Sequence, residues 1–172
     1  MRRNVSILSL LAMLCLVLFN KCGVSYSFSG GSIPENMKTV NVQYFENIAP
    51  MVYPTLSQNF TEGLKERIRS QSRLSQVTGE ADATFEGLIT GYDISPVAVE
   101  ANTDRAAMNR LTITIKVTYT NRLDETGESN FEESFTQFRE FGGTVAGQEE
   151  TLNTEIIKLL TEDVYNRAFA NW

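Results

Sequence analysis

The stretch NRLTITIKVTYTN, residues 109–121, decides the fold. Leu111, Ile113, Ile115, Val117 and Tyr119 alternate with Thr112, Thr114, Lys116, Thr118 and Thr120, the period of two that sends successive side chains to opposite faces of a strand. One row is fit for a core, and the other is polar. Upstream, ATFEGLITGYDI (83–94) is rich in β-branched and aromatic residues, and Gly87 and Gly91 within it point to a bend or a close backbone approach. Pro96 is expected to end this ladder or confine it to an edge, and Ser95 to Asn109 to form a connection long enough to be functional. Downstream, Asp124 to Asn130 reads as a polar hairpin loop containing Gly127. Phe131, Phe135, Phe138 and Phe141 then mark a last strand whose alternation slips once, as at a bulge.

Farther out, KTVNVQYF (38–45) sets Val40, Val42 and Tyr44 against Thr39, Asn41 and Gln43, and so reads as a strand. Beyond Pro50 and Pro54, Thr55 and Gln58 have capping-box spacing. Leu56, Phe60, Leu64 and Ile68 recur every four residues behind them, which predicts a helix to about Leu74. Glu62, Lys65, Glu66, Arg67, Arg69 and Arg73 on its other faces read as solvated charge. From about Gln148, Leu152, Ile156, Leu159, Leu160, Val164 and Ala168 form a second amphipathic pattern, with Glu149 and Glu150 at its positive end. The order β-α-β-β-β-α implies an α+β domain: a mainly antiparallel four-stranded sheet with two helices packed on one face. The threonine row then faces away from the core. Threonine is also simply a good solvent-facing strand former, so the row alone does not mark a site.

The amino terminus has a different character. Met1-Arg2-Arg3 precedes an apolar run from Ile7 to Phe19, broken only by Ser9 and closed by Asn20-Lys21, the layout of an export signal. The run is shorter than the ~20 residues a spanning helix needs. It stops directly at Cys22, as in bacterial lipoprotein signals, although Lys21 and Phe19 occupy positions where a small residue and a leucine are usual. Residues 1–21 are therefore expected as a lipoprotein signal peptide, 22–36 as a lipidated tether and 37–172 as a single domain. Removing Arg2, Arg3 and Lys21 with the signal leaves 12 basic against 21 acidic residues, a net charge of −9. An acidic chain lacks the basic footprint of a nucleic-acid binder. With Cys15 removed and Cys22 lipidated, no disulfide remains, so stability must come from packing, for which 42% hydrophobic residues suffice.

The search for chemistry returns mainly exclusions. The chain has no histidine, which removes Ser-His-Asp and Cys-His relays and any histidine metal site. Gly30-Gly31 and Gly142-Gly143 lack the spacing of phosphate-binding loops. Glu132-Glu133 would point to opposite faces of a strand, and Glu149-Glu150 suit a helix start, so neither pair reads as a glycosidase dyad. No catalytic residue, metal site or cofactor is expected, apart from the covalent lipid on Cys22.

Taken in order, CGVSYSFSG, KTVNVQYFEN, PTLSQNFTEGLKERIRSQSRL, ADATFEGLITGYDISPVAVE, NRLTITIKVTYTN and EDVYNRAFANW resemble the lipopolysaccharide-assembly lipoprotein family LptE, in its Bacteroidetes form. The resemblance implies a non-enzymatic protein held by its lipid on the periplasmic side of the outer membrane. There it would plug and help assemble an LptD-type β-barrel that carries lipopolysaccharide to the cell surface. In that setting Thr112, Thr114, Thr118 and Thr120 are candidates for docking against the polar lumen of a barrel. Arg105, Arg110 and Lys116 are candidates for contacts with anionic lipopolysaccharide, though each could equally be an ordinary solubilising charge. Two other readings stay open on the residues alone: a periplasmic interaction lipoprotein that activates a cell-envelope enzyme, and a carboxylate-based envelope hydrolase.

Overall fold

A computed structural model describes residues 33–51, 53–99 and 106–170, so the signal, Cys22 and the tether as far as residue 32 lie outside the described residues. The elements are β1 (Thr39–Val42), β2 (Glu46–Asn47), α1 (Leu56–Gln71), β3 (Ser75–Gln76), β4 (Ala83–Val99), β5 (Ala106–Asn121), β6 (Phe131–Phe141) and α2 (Glu149–Phe169). The sheet has six strands in the order β3-β1-β4-β5-β6, with β2 paired to β4. β4, β5 and β6 form the expected antiparallel meander. β1 runs parallel to both β3 and β4, and β2 is parallel to β4, so the sheet is mixed and not a four-stranded antiparallel one. The helix between β1 and β3 supplies the crossover that parallel neighbours require.

The expected strand 38–45 breaks because Phe45, and not Tyr44, enters the core. Val40 and Val42 are buried, Tyr44 is 64% exposed and Phe45 is fully buried. The Phe45 amide leaves the ladder to donate to Thr61 Oγ1 on α1 (3.1 Å), and its ring meets Phe60 edge-on at 4.9 Å. Pairing resumes in β2, opposite Leu88 and Ile89. Gly87 makes this possible: a Cβ there would lie 2.7 Å from Phe45 Cε1 and 2.1 Å from the Lys116 carbonyl oxygen. The close backbone approach anticipated at this glycine is present. At its start β1 is fixed by Asp82, whose carboxylate accepts from the amides of Lys38 and Thr39 at 2.8 Å each, while the Asp82 amide donates to Thr39 Oγ1 at 2.9 Å.

Both helices cover the same face. Leu56, Phe60, Leu64 and Ile68 of α1 are buried as their spacing requires. The capping box does not form, since Thr55 has helical backbone angles and no side-chain cap bond. The helix ends at Gln71, not Leu74, where Ser72 turns its hydroxyl back onto the Ile68 carbonyl at 2.6 Å. On α2, Leu152, Ile156, Leu160 and Val164 face the sheet core, while Ile157 and Thr161 are buried beside Gly63 of α1. Arg67, read from sequence as solvated, instead bridges the helices: Nε donates to Thr161 Oγ1 (3.1 Å) and a terminal nitrogen to the Lys158 carbonyl (2.8 Å).

Two further expectations change. The β5–β6 register is unbroken from Asn109↔Phe141 to Tyr119↔Phe131, so β6 has no bulge. Phe138 interrupts the alternation because it belongs to the other face. On the helix-facing side, Glu133, Gln137 and Arg139 reach α2 through Arg167 (2.9 Å), Asp163 (2.7 Å) and Glu155 (2.8 Å). The irregularities lie in β4, at Ile89/Gly91 and after Pro96. The segment from Ser95 to Asn109 is no simple loop either: β4 continues to Val99 and β5 begins at Ala106. Pro96 is tolerated within this ladder because β2 ends opposite Ile89, leaving β4 beyond it without a second strand partner among the described residues.

Candidate docking face

Among the described residues both helices lie on one side of the sheet, and the other side lies open. Leu111, Ile113, Ile115, Val117 and Tyr119 are buried toward the helices, and Thr112, Thr114, Thr118 and Thr120 stand half-buried on the open face, as the alternation requires. Register then supplies their neighbours. Thr84 lies opposite Thr120, Glu86 opposite Thr118 and Thr112 opposite Phe138. Thr114 lies opposite Thr136, and their hydroxyls share a hydrogen bond of 3.0 Å. The result is a surface row of short hydroxyl side chains, each able to donate and accept.

Two of the three candidate cations lie on this face, and both are already neutralised. Lys116 pairs with Glu132, and that contact holds the Glu132 carboxyl below the usual carboxylate range. Arg110 binds Glu140 at 2.6 Å, with its guanidinium 4.3 Å above the ring of Phe138. Arg105 lies outside the described residues.

Sequence reasoning missed several residues of the face. Phe138 is 44% exposed in the middle of it. Counting register from the Asp124–Asn130 hairpin would have placed it there, since Phe131 opposite Tyr119 puts Phe138 opposite Thr112. Tyr44, Glu46, Glu86, Leu88, Lys116 and Glu132 line a shallow depression of about 390 Å³. Only the parallel docking of β2 beside β4 brings the first two of these to the others, and no local pattern signals it. On the opposite side of the molecule, a groove of about 410 Å³ runs between the helices past Gly63, Arg67, Ile157 and Thr161.

Three of the four paired carboxylates have structural partners. Glu132 turns to Lys116 on the open face and Glu133 to Arg167 on the helix face. The Tyr92 hydroxyl donates a hydrogen bond to the Glu149 carboxylate at 2.6 Å, and burial, reinforced by that carboxylate, pushes the Tyr92 pKa well above its usual range. No group of three or more Cys, Asp or Glu side chains among the described residues is placed to hold a metal ion.

A two-layer α+β domain whose open sheet face offers hydroxyls, ion pairs and an exposed aromatic has the surface of a binding module. The lipopolysaccharide-assembly family model, LptE, matches residues 37–168, and the chain belongs to that family. The family is non-enzymatic, which sets aside the hydrolase reading. No curated protein matches the sequence. Among solved structures, the hypothetical protein CT253 from Chlamydia trachomatis is similar with a TM-score of 0.55 at 8% identity, over 78% of this chain and 99% of that one. XCC0632 from Xanthomonas campestris gives a TM-score of 0.55 at 10% identity, over 78% and 86% of the two chains. Rare lipoprotein B from Shewanella oneidensis gives 0.49 at 9% identity, over 74% and 89%. At these identities the first two likenesses concern the fold, and the third is too distant to argue from.

Proposed function

We propose that this protein is the lipid-anchored partner of an LptD-type outer-membrane β-barrel, seated in the barrel by its open sheet face and serving lipopolysaccharide delivery from the periplasmic side. Family membership supplies the process, lipopolysaccharide assembly. The observation that carries the docking role is the geometry of the face: a row of half-buried threonines on the side of β5 that no helix among the described residues covers. Barrel interiors are polar, and a hydroxyl-bearing sheet face can meet such a wall with donors and acceptors on every threonine. The N-terminal layout, an apolar run ending at Cys22, supports anchoring through acyl chains on that cysteine.

Copurification of the full chain with its barrel from detergent-solubilised membranes tests this reading. Replacing Thr114 and Thr118 together by tryptophan leaves the buried row of β5 untouched but places two bulky wedges on the open face. Capture of the barrel should fall at least about tenfold, a loss of ~1.4 kcal/mol, with circular dichroism unchanged and the outer membrane more permeable. A wild-type chain that captures no barrel rejects the reading, and a double variant that captures it normally rejects this face.

A further inference from the structure

The open face is electrically lopsided, and its charge specifies what can lie against it. Its strands carry five carboxylates, Glu46, Glu86, Asp93, Glu132 and Glu140, against two cations, Arg110 and Lys116. Both cations are consumed by Glu140 and Glu132 on β6. Glu46, Glu86 and Asp93, all exposed and all on the β2–β4 side, have no ion-pair partner among the described residues. The face therefore divides into a neutralised half over β5–β6 and an uncompensated acidic half over β2–β4. Within the acidic half, Glu46 and Glu86 border the depression, and Tyr44 stands beside them 64% exposed. Carboxylates next to an accessible aromatic ring form the environment that a guanidinium or ammonium group recognises, through charge and through the face of the ring.

We infer that the acidic half of the open face docks a protein surface bearing lysine or arginine side chains, one of which enters the depression beside Tyr44, Glu46 and Glu86. This rests on the docking role proposed above and names the chemistry of the partner. The charge also argues against two other occupants. Lipopolysaccharide is anionic, and on this face it would meet three unpaired carboxylates and, among the described residues, no free cation. A second copy of the chain, applied face to face, would set the same carboxylates against themselves. At the opposite corner, Phe138 with Arg110 stacked on it belongs to the residue types that anchor protein interfaces.

The test uses the full-length protein coexpressed with its barrel, captured in detergent with EDTA present, and washed at about 0.05 M and about 0.5 M salt, where the screening length falls from above to below ~10 Å. Wild-type capture should weaken at high salt. Glu46→Lys with Glu86→Lys should lower capture at low salt about tenfold or more, and Glu46→Gln with Glu86→Gln should remove most of the salt dependence. Both positions changed in these variants bear exposed side chains, so circular dichroism should match wild type. If the lysine pair is captured as well as wild type, or better, as a lipopolysaccharide-bridged contact would require, the inference is overturned while the docking role stands. Failure of the wild type to capture the barrel at either salt overturns both.

Discussion

Replacing Gly87 by alanine adds a single methyl group where two elements converge, and the structure gives its cost. The new Cβ would lie 2.1 Å from the Lys116 carbonyl oxygen, about 1.3 Å inside the 3.4 Å at which ordinary contact begins. Phe45 Cε1 would be 2.7 Å away. The phenyl ring can tilt, but the carbonyl cannot retreat freely. It belongs to the β4–β5 ladder, held on either side by the pairs Glu86↔Thr118 and Leu88↔Lys116. Overpacking of this kind costs ~1–3 kcal/mol or more, and each ladder hydrogen bond lost to relieve it adds ~0.5–1.5 kcal/mol. The reduced freedom of the unfolded chain offsets only ~0.4–1 kcal/mol. With the clash and ladder terms near the upper end of their ranges, as a 2.1 Å approach to a backbone atom warrants, the net loss is ~3–4 kcal/mol, against a total of ~5–15 kcal/mol for a typical domain. At ~2–4 °C per kcal/mol for a chain of this size, thermal melting followed by circular dichroism should drop by about 6–16 °C. Adding Phe45→Leu, which shortens the ring contact but leaves the carbonyl in place, should not restore it. A Gly87→Ala protein melting within about 2 °C of wild type would refute the close approach, and full rescue by Phe45→Leu would shift the cause from the backbone to the ring.

Two other outcomes are expected. The Asp124 carboxylate accepts from the hydroxyls of Ser129 and Thr126 and from the amides of Thr126, Gly127 and Ser129, and these bonds lower its pKa far below the ordinary 3.8. A depressed folded-state value stabilises above the unfolded value and is lost as pH falls through the folded one, so urea melts should show stability declining from about pH 4 downward. Asp124→Asn should lose stability at neutral pH and show a shallower decline, whereas parallel pH profiles would reject the assignment. Cys22→Ala should leave a folded domain that no longer fractionates with the outer membrane and takes up no fatty-acid label, since a single covalent anchor would be gone; unlabelled wild-type protein would sink the lipid anchor.

β5 was legible because it is buried on one side only and bears an unbroken alternation, and the helix stripes were legible for the same reason. What escaped notice depended on contacts distant in sequence. Tyr44 and Phe45 are equally plausible core residues until Gly87, on another strand, is seen to leave room for a ring under α1. β3, two exposed residues, has no hydrophobic pattern to read. Arg67 looked like every other charge on α1 because its acceptors, Thr161 and the Lys158 carbonyl, arrive with α2. At the open face, local alternation gave the threonines their direction. The acidic half stayed hidden, since Glu46 and Glu86 become neighbours only through parallel pairing of segments 40 residues apart.

The position of β1 carries a consequence for the order in which the chain takes shape. Its neighbours on both sides are made later: Thr39 meets Ser75, and Val40 meets Ala83. The β4–β5–β6 meander, by contrast, closes through adjacent hairpins and can form from local contacts alone. Local contacts outrun distant ones because shorter loops are closed at lower entropic cost. β1 is thus a late insertion, a strand that waits beside the meander until α1 has wrapped back and β3 has arrived to flank it. Until then the whole of β4 presents an uncovered edge. A newly made chain is at its most vulnerable to strand exchange with its neighbours in that interval, and a chaperone that shields a single edge strand would be enough to see it through.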